Sequence, residues 1–137
     1  MLTSKANNSG FAVLEACPPK QPLEQRPLIT SHEAKNLVLI FKVLSNDSRL
    51  RLLHALVRSG ELCVTELAEG VGMKPQAVSN QLQRLTDRGI VETRRDGNKI
   101  YYRIVDPCVI SLLDQGMCLT EDARQRRNSG RRRRGTG

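Results

Sequence analysis

Apolar residues recur at helical spacing through the first half of the chain. After Thr30 an apolar stripe continues to Leu44, and Thr30 with Glu33 three residues later forms a capping-box pattern that favours a helix start. The stripe consists of Leu37, Ile40, Phe41 and Leu44. The cluster Asn46-Asp47-Ser48 then predicts a turn and N-cap, followed by a second helix that ends at Gly60. Its inward positions are predicted to be Leu50, Leu53, Leu56 and Val57.

Two shorter helices follow, the first over 64–70 and the second beginning at Pro75. Proline suits the first turn of a helix because its missing N–H would have no partner there. The second of these helices carries a buried stripe and ends at Gly89. The stripe consists of Val78, Leu82 and Leu85.

The period then changes from helical to alternating over residues 90–105. Asp96-Gly97 lies between two β-prone runs, which predicts a hairpin. Asp106-Pro107 opens a last helix with Ile110, Leu113 and Met117 on one stripe. The predicted fold is mainly α with a β-hairpin, in the order α-α-α-α-β-β-α.

The ends of the chain differ from this central domain in composition. Residues 1–29 contain four prolines and no periodic pattern, so we expect a disordered arm. The domain is predicted over 30–122, and 123–137 is predicted to be a disordered Arg-rich tail. No apolar run is long enough for a membrane span or a secretory signal, so we expect a cytoplasmic protein with no membrane partner.

Charge is concentrated in the tail. The net charge is +8, yet residues 124–137 hold seven Arg and no acid, and the remainder holds fifteen Lys and Arg against fourteen acids. A basic tail alone favours non-specific attraction to polyanions, so an architectural nucleic-acid binder is one alternative. We find no Gly-rich phosphate loop, catalytic histidine constellation or paired carboxylates, so we do not expect an enzyme.

The segment 66–82 carries the strongest functional signal. Ala68 is small enough for two helices to cross closely, and Gly72 tolerates the positive φ of a tight turn, which together indicate a helix-turn-helix. Amide, hydroxyl and basic side chains on the outward face of the second helix can contact bases and phosphates of double-stranded DNA, although a solvated face would look similar. These candidates are Lys74, Gln76, Ser79, Asn80, Gln83 and Arg84, joined on the hairpin by Arg94, Arg95 and Lys99.

Several motifs together resemble the ArsR/SmtB family of metal-responsive repressors. They are Leu50-Arg51-Leu52-Leu53, Glu61-Leu62-Cys63-Val64, Leu67-Ala68, Ala77-Val78-Ser79-Asn80-Gln81-Leu82 and Gly97-Asn98-Lys99-Ile100-Tyr101-Tyr102. The resemblance covers about residues 32–122. It implies a winged helix-turn-helix protein that forms a homodimer through its first and last helices. It further implies a repressor that an inducer releases from a DNA operator.

The cysteines are then candidates for an inducer site. The family's arsenic-type site resembles Glu-Leu-Cys-Val-Cys, but Thr65 stands here in place of the second cysteine. An arm-type site of the family is similar to the set Cys17, Cys63 and Glu66, which we keep as a secondary candidate. A buried packing role for Cys63 is an equal alternative.

The last helix offers the main candidate site. The family pattern there is similar to Asp106, Cys108, Cys118 and Glu121, with cysteines replacing two histidines and a spacing shorter by one residue. Cys108 and Cys118 would lie roughly 15 Å apart along one helix, so a shared ion needs two chains across the dimer. Thiolates favour soft or borderline ions such as Zn, Cd, Pb or Cu(I). A thiol redox sensor and simple interface packing remain alternatives.

Overall fold

The computed structural model describes residues 20–135 and has five helices and a three-stranded sheet. A single turn of 3₁₀-helix at Leu23–Gln25 precedes them. Cys17 lies outside the described residues. The elements are α1 (Ser31–Leu44), α2 (Asp47–Ser59), β1 (Leu62–Cys63), α3 (Val64–Val71), α4 (Pro75–Asp87), β2 (Val91–Asp96), β3 (Lys99–Ile104) and α5 (Pro107–Arg134).

The helix starts that the sequence predicted are confirmed by their capping bonds. Glu33 N donates to Thr30 Oγ1 at 3.1 Å, and Thr30 N donates to Glu33 Oε2 at 2.7 Å, completing the capping box of α1. Asn46 Oδ1 accepts from Arg49 N at 3.1 Å at the start of α2. These side chains satisfy backbone donors that a helix terminus leaves without partners.

The core is aliphatic and lies where α2, α3 and α4 meet the sheet. Its fully buried side chains are Leu52, Leu53, Leu56, Leu67, Val78, Leu82, Leu85 and Val91. The predicted stripe of α4 is confirmed, but that of α2 was partly wrong. Leu52 is buried, while Leu50 and Val57 are exposed. The reason is that α3, α4 and β3 all pack on the face of α2 that carries Leu52.

The sheet has the order β1-β3-β2 and is antiparallel throughout. The predicted hairpin is confirmed, with Asp96 paired to Lys99 and Gly97 at φ +61° in the two-residue turn. The sequence analysis missed β1, in which Leu62 pairs with Tyr102. Two residues are too few to show an alternating pattern, so this strand forms only because β3 offers it an edge.

Helix α5 is longer than the sequence predicted. The expected disordered tail begins at 123, whereas the structure continues the helix to Arg134. Ala, Gln and Arg are good helix formers, so the Arg-rich segment can extend a helix that is already nucleated. Among the described residues, no helix is long and apolar enough to cross a membrane.

Candidate nucleic-acid interface and cysteine sites

The α3–α4 pair forms the helix-turn-helix that the sequence predicted. Gly72 ends α3 in the left-handed conformation at φ +69°, and Met73 N donates to the Ala68 carbonyl at 3.0 Å. Ala68 itself is buried where the two helices pack. A side chain at position 72 would be strained by the positive φ, so glycine suits the tight turn between the two helices.

The outward face of α4 is polar, and its amides are held in place. Gln76 Nε2 donates to Asn80 Oδ1 at 3.1 Å, and Gln83 Nε2 donates to Asp87 Oδ1 at 2.8 Å. Each bond joins side chains four positions, or about one turn, apart, and so orients the amides before any ligand arrives. Five of the six predicted DNA contacts on this element are exposed, and Ser79 is half-buried. The exposed five are Lys74, Gln76, Asn80, Gln83 and Arg84.

The wing contains both engaged and exposed basic side chains. Arg94 Nη2 lies 2.7 Å from Glu61 Oε1, and its guanidinium stacks 4.7 Å from the centre of the Tyr101 ring. The hydrogen bond with Glu61 raises the pKa of Arg94 above its usual value. Arg95 and Lys99 are exposed near the turn. Arg94 therefore connects β2 to the segment before β1 through its ion pair with Glu61, while Arg95 and Lys99 face solvent.

The sequence analysis named Glu61 only as part of a family motif and missed its pairing with Arg94. Glu61 lies 33 positions from Arg94 in the chain, so no local pattern links the two. A like pair in the wing joins Arg103 Nε to Glu92 Oε1 at 2.9 Å, directly across the hairpin. Opposite charges at paired positions of neighbouring strands stabilise a sheet. Such pairs can be identified only when the register of the two strands is known.

Cys63 and Glu66 contact one another at the start of α3. Cys63 is a free, buried thiol whose backbone N–H donates to Glu66 Oε1 at 3.2 Å. Hydrogen bonds from the Cys63 side chain and then from its backbone lower the pKa of Glu66. This arrangement caps the start of α3. The arm-type site that adds Cys17 stays a prediction.

The candidate ligands of α5 are spread along the helix. Asp106 is the N-cap and accepts from Cys108 N at 2.8 Å, while Cys118 Sγ lies 3.9 Å from Asp122 Oδ2. Cys108 is held in a disulfide, with Lys20 Nζ 3.7 Å from its sulfur, and Cys118 is a free, exposed thiol. Within residues 20–135 of one protomer, no three His, Cys, Asp or Glu side chains are grouped to hold a metal ion.

An apolar groove of about 410 Å³ lies between α1, α2 and α5. Phe41 and Leu50 are half-exposed on one side of it, and Leu112 and Met117 on the other. Side chains of this size rarely remain in water as a continuous patch on an isolated domain.

The packed α3–α4 pair with its tight turn at Gly72, together with the adjoining hairpin, defines this chain as a winged helix-turn-helix protein. It matches the family model "Bacterial regulatory protein, arsR family" over residues 46–93. The cadmium resistance transcriptional regulatory protein CadC of Listeria innocua is 34% identical over 82 residues, covering 60% of this chain and 69% of that protein. The chain belongs to the ArsR family, a family of transcriptional regulators, and is not an enzyme.

Two solved structures share the fold. The AntR antimony-specific transcriptional repressor superposes with a TM-score of 0.69 at 65% identity, covering 80% of this chain and 99% of that one. A homodimeric winged helix-turn-helix DNA-binding domain, Mb0332 from Mycobacterium bovis, superposes with a TM-score of 0.60 at 30% identity. That alignment covers 71% of this chain and 92% of the other.

Proposed function

We propose that this protein is a homodimeric repressor that binds a two-part DNA operator and leaves it when a thiophilic metal ion binds at α5. The observation that carries this proposal is the placement of Cys108 and Cys118 on α5, the helix that lines the apolar groove. The relatives point the same way, since AntR is described as antimony-specific and CadC as a cadmium resistance regulator.

The groove supports a second copy of this chain as its occupant. Half-exposed apolar side chains on α1 and α5 face a space with few polar groups, and a homodimeric relative has the same fold. A twofold axis would place two copies of α5 side by side and two copies of α4 on one side of the dimer. Paired recognition helices suit half-sites in successive major grooves.

We expect the substitutions Asn80→Ala and Gln83→Ala to reduce sequence preference while dimerisation is kept. Each removes an exposed amide of α4 that can hydrogen-bond to a base edge, and such contacts give roughly 1–3 kcal/mol of discrimination. Competition between operator and random duplex, followed by fluorescence anisotropy, measures the preference. Gln25→Ala removes an exposed amide outside the helix-turn-helix and serves as the control. Unchanged operator preference in both α4 variants would exclude this face as the reading surface.

The proposed ion is one that prefers thiolates. The similarity to AntR adds antimony to the expected panel of Zn, Cd, Pb and Cu(I). Reduced Cys108 and Cys118 from opposite protomers would hold the ion, and Asp106 and Glu121 are available as oxygen donors. Operator-release assays across this panel of metals test the proposal directly. A reductant is present so that the disulfide of Cys108 is reduced to a thiol. Tight operator binding at every saturating metal concentration would contradict it.

Redox sensing is a second candidate, because Cys108 is already in a disulfide. In this version two thiols lose two electrons and two protons to a peroxide, which is reduced to water. Operator release by peroxide in the absence of metal, reversed by dithiothreitol, would favour it over metal sensing. Counting free thiols before and after peroxide identifies how many cysteines react.

The Arg-rich end of α5 supports an additional, sequence-independent contact with DNA. Arg124, Arg127, Arg131 and Arg134 repeat at three- and four-residue spacing, and they line one hollow that contains no acidic side chain. We expect removal of residues 124–137 to weaken binding to all duplexes alike and to flatten the salt dependence. Each neutralised phosphate contributes about 0.9 to the slope of log K against log salt. Replacing the seven Arg by Lys is the control that keeps the charge. An identical slope after truncation would place the tail away from DNA.

A further inference from the structure

Arg49 is a half-buried basic side chain on α2. It belongs neither to the polar face of α4 nor to the cysteine sites. Its Nε donates to Gln81 Oε1 at 2.7 Å, and its Nη1 donates to the Val43 carbonyl at 2.9 Å. Its backbone N–H is fixed as well, donating to Asn46 Oδ1 at 3.1 Å. A single guanidinium thus joins α2 to the last turn of α1 and to the middle of α4.

The two acceptors belong to the elements that matter most for operator binding. Gln81 follows Asn80 on α4, the proposed recognition helix. Val43 lies near the end of α1, which lines the groove proposed as the dimer interface. Beside Arg49 an open cleft separates the two helices, lined by Lys42 on one side and by Arg84 and Asp87 on the other.

The chemistry of arginine suits a connection of this kind. The guanidinium is planar and carries donors in a fixed fork, so bonding to one acceptor determines where the other must lie. Bonds from a charged donor are also stronger than neutral ones. If α4 rotates or shifts relative to α1, at least one of the two bonds is lost.

We propose that Arg49 is a positioning residue that fixes the orientation of α4 relative to α1 and thereby the distance between the two recognition helices of the dimer. This inference rests on the proposed function. Because successive base pairs are about 3.4 Å apart, a small rotation of each α4 changes the half-site spacing that a dimer can bind. Arg49 therefore acts on operator spacing through Gln81, without touching DNA.

The test uses Arg49→Met, Gln81→Met and the double variant, with Arg51→Met as control because Arg51 is an exposed arginine of the same helix. The wild-type protein first selects an operator from random duplexes. Affinity is then measured by fluorescence anisotropy for that operator, for versions with one base pair added or removed at the centre, and for a single half-site. Thermal unfolding and size-exclusion chromatography verify folding and dimerisation.

We expect the wild type and Arg51→Met to lose about tenfold or more in affinity on either altered spacing, a factor equivalent to about 1.4 kcal/mol. Arg49→Met should lose about tenfold on the selected operator, bind the three spacings nearly equally and keep half-site affinity within about twofold. Gln81→Met should behave in the same way, and the double variant should be no worse than either single variant, as expected for partners in one interaction.

Other outcomes overturn the inference. If Arg49→Met weakens half-site and operator equally and keeps the spacing preference, its role is only structural. Additive losses in the double variant would also contradict the link. If Arg49→Met does not fold, Gln81→Met removes the same bond from the α4 side and decides the question. A wild-type protein that selects no operator would refute the proposed function itself, and this inference with it, whereas a failure confined to the variants refutes only the role of Arg49.

Discussion

Replacing Cys108 or Cys118 with serine should leave the protein bound to its operator at metal concentrations that release the wild type. The two cysteines lie on α5, and at roughly 15 Å along the axis they are too far apart to share an ion between themselves. An ion held by Cys108 of one protomer and Cys118 of the other would link occupancy directly to subunit geometry. Serine is a poor ligand for a soft ion, so each substitution should abolish the response.

Cys63→Ser is the matched control for this experiment. Cys63 is buried at the start of α3 beside Glu66, and Thr65 stands where an arsenic-type site would need a second thiolate. Release should therefore be retained in Cys63→Ser. Operator release is followed by anisotropy under reducing conditions, with metal affinity measured separately by competition with a chelator. A response lost in Cys63→Ser but kept in both α5 variants would move the site to the helix-turn-helix.

The same site predicts a pH dependence. A thiol must lose its proton before it binds metal, so protons compete with the ion. Metal affinity should therefore fall as the pH is lowered below neutrality. The concentration needed for half-maximal operator release should rise in parallel. The response is weakest at the most acidic pH at which the dimer remains folded.

Local features of this fold could be read from the sequence, because short segments determine them. The Thr30 capping box, proline at the start of α4 and positive φ at Gly72 each depend on a few neighbouring residues. The length of α5 was underestimated for the opposite reason. A charged, Gly-containing composition predicted disorder, whereas the helix formers next to a nucleated helix continue it to Arg134.

Long-range pairing is what the sequence could not supply. The Arg49 bond to Gln81 spans 32 positions and the Arg94 bond to Glu61 spans 33, so neither follows a helical or strand period. The burial of Leu52 rather than Leu50 likewise depends on which elements surround α2. The amides of α4 could be grouped from the sequence because they share one exposed helix face, whereas the pairing of Arg94 could not, because its partner Glu61 is remote in the chain.

Met117→Glu should convert the dimer to a monomer and nearly abolish operator binding. Met117 lines the groove between α1, α2 and α5, and in the proposed dimer each copy would bury a carboxylate against apolar side chains. An unpaired charge in such a site costs several kcal/mol, so association should weaken by at least about a hundredfold.

Ile100→Glu is the matched control, since Ile100 on β3 is 42% exposed and Met117 is 43% exposed. Both side chains are partly in solvent in the monomer, so both variants should fold with little loss of thermal stability. Analytical ultracentrifugation should then give a monomer for Met117→Glu and a dimer for Ile100→Glu. A Met117→Glu protein that stays dimeric at micromolar concentration would mean that the two copies meet on another face. The proposed pairing of the two α4 helices, and the assignment of α5 as the shared metal site, would then be wrong.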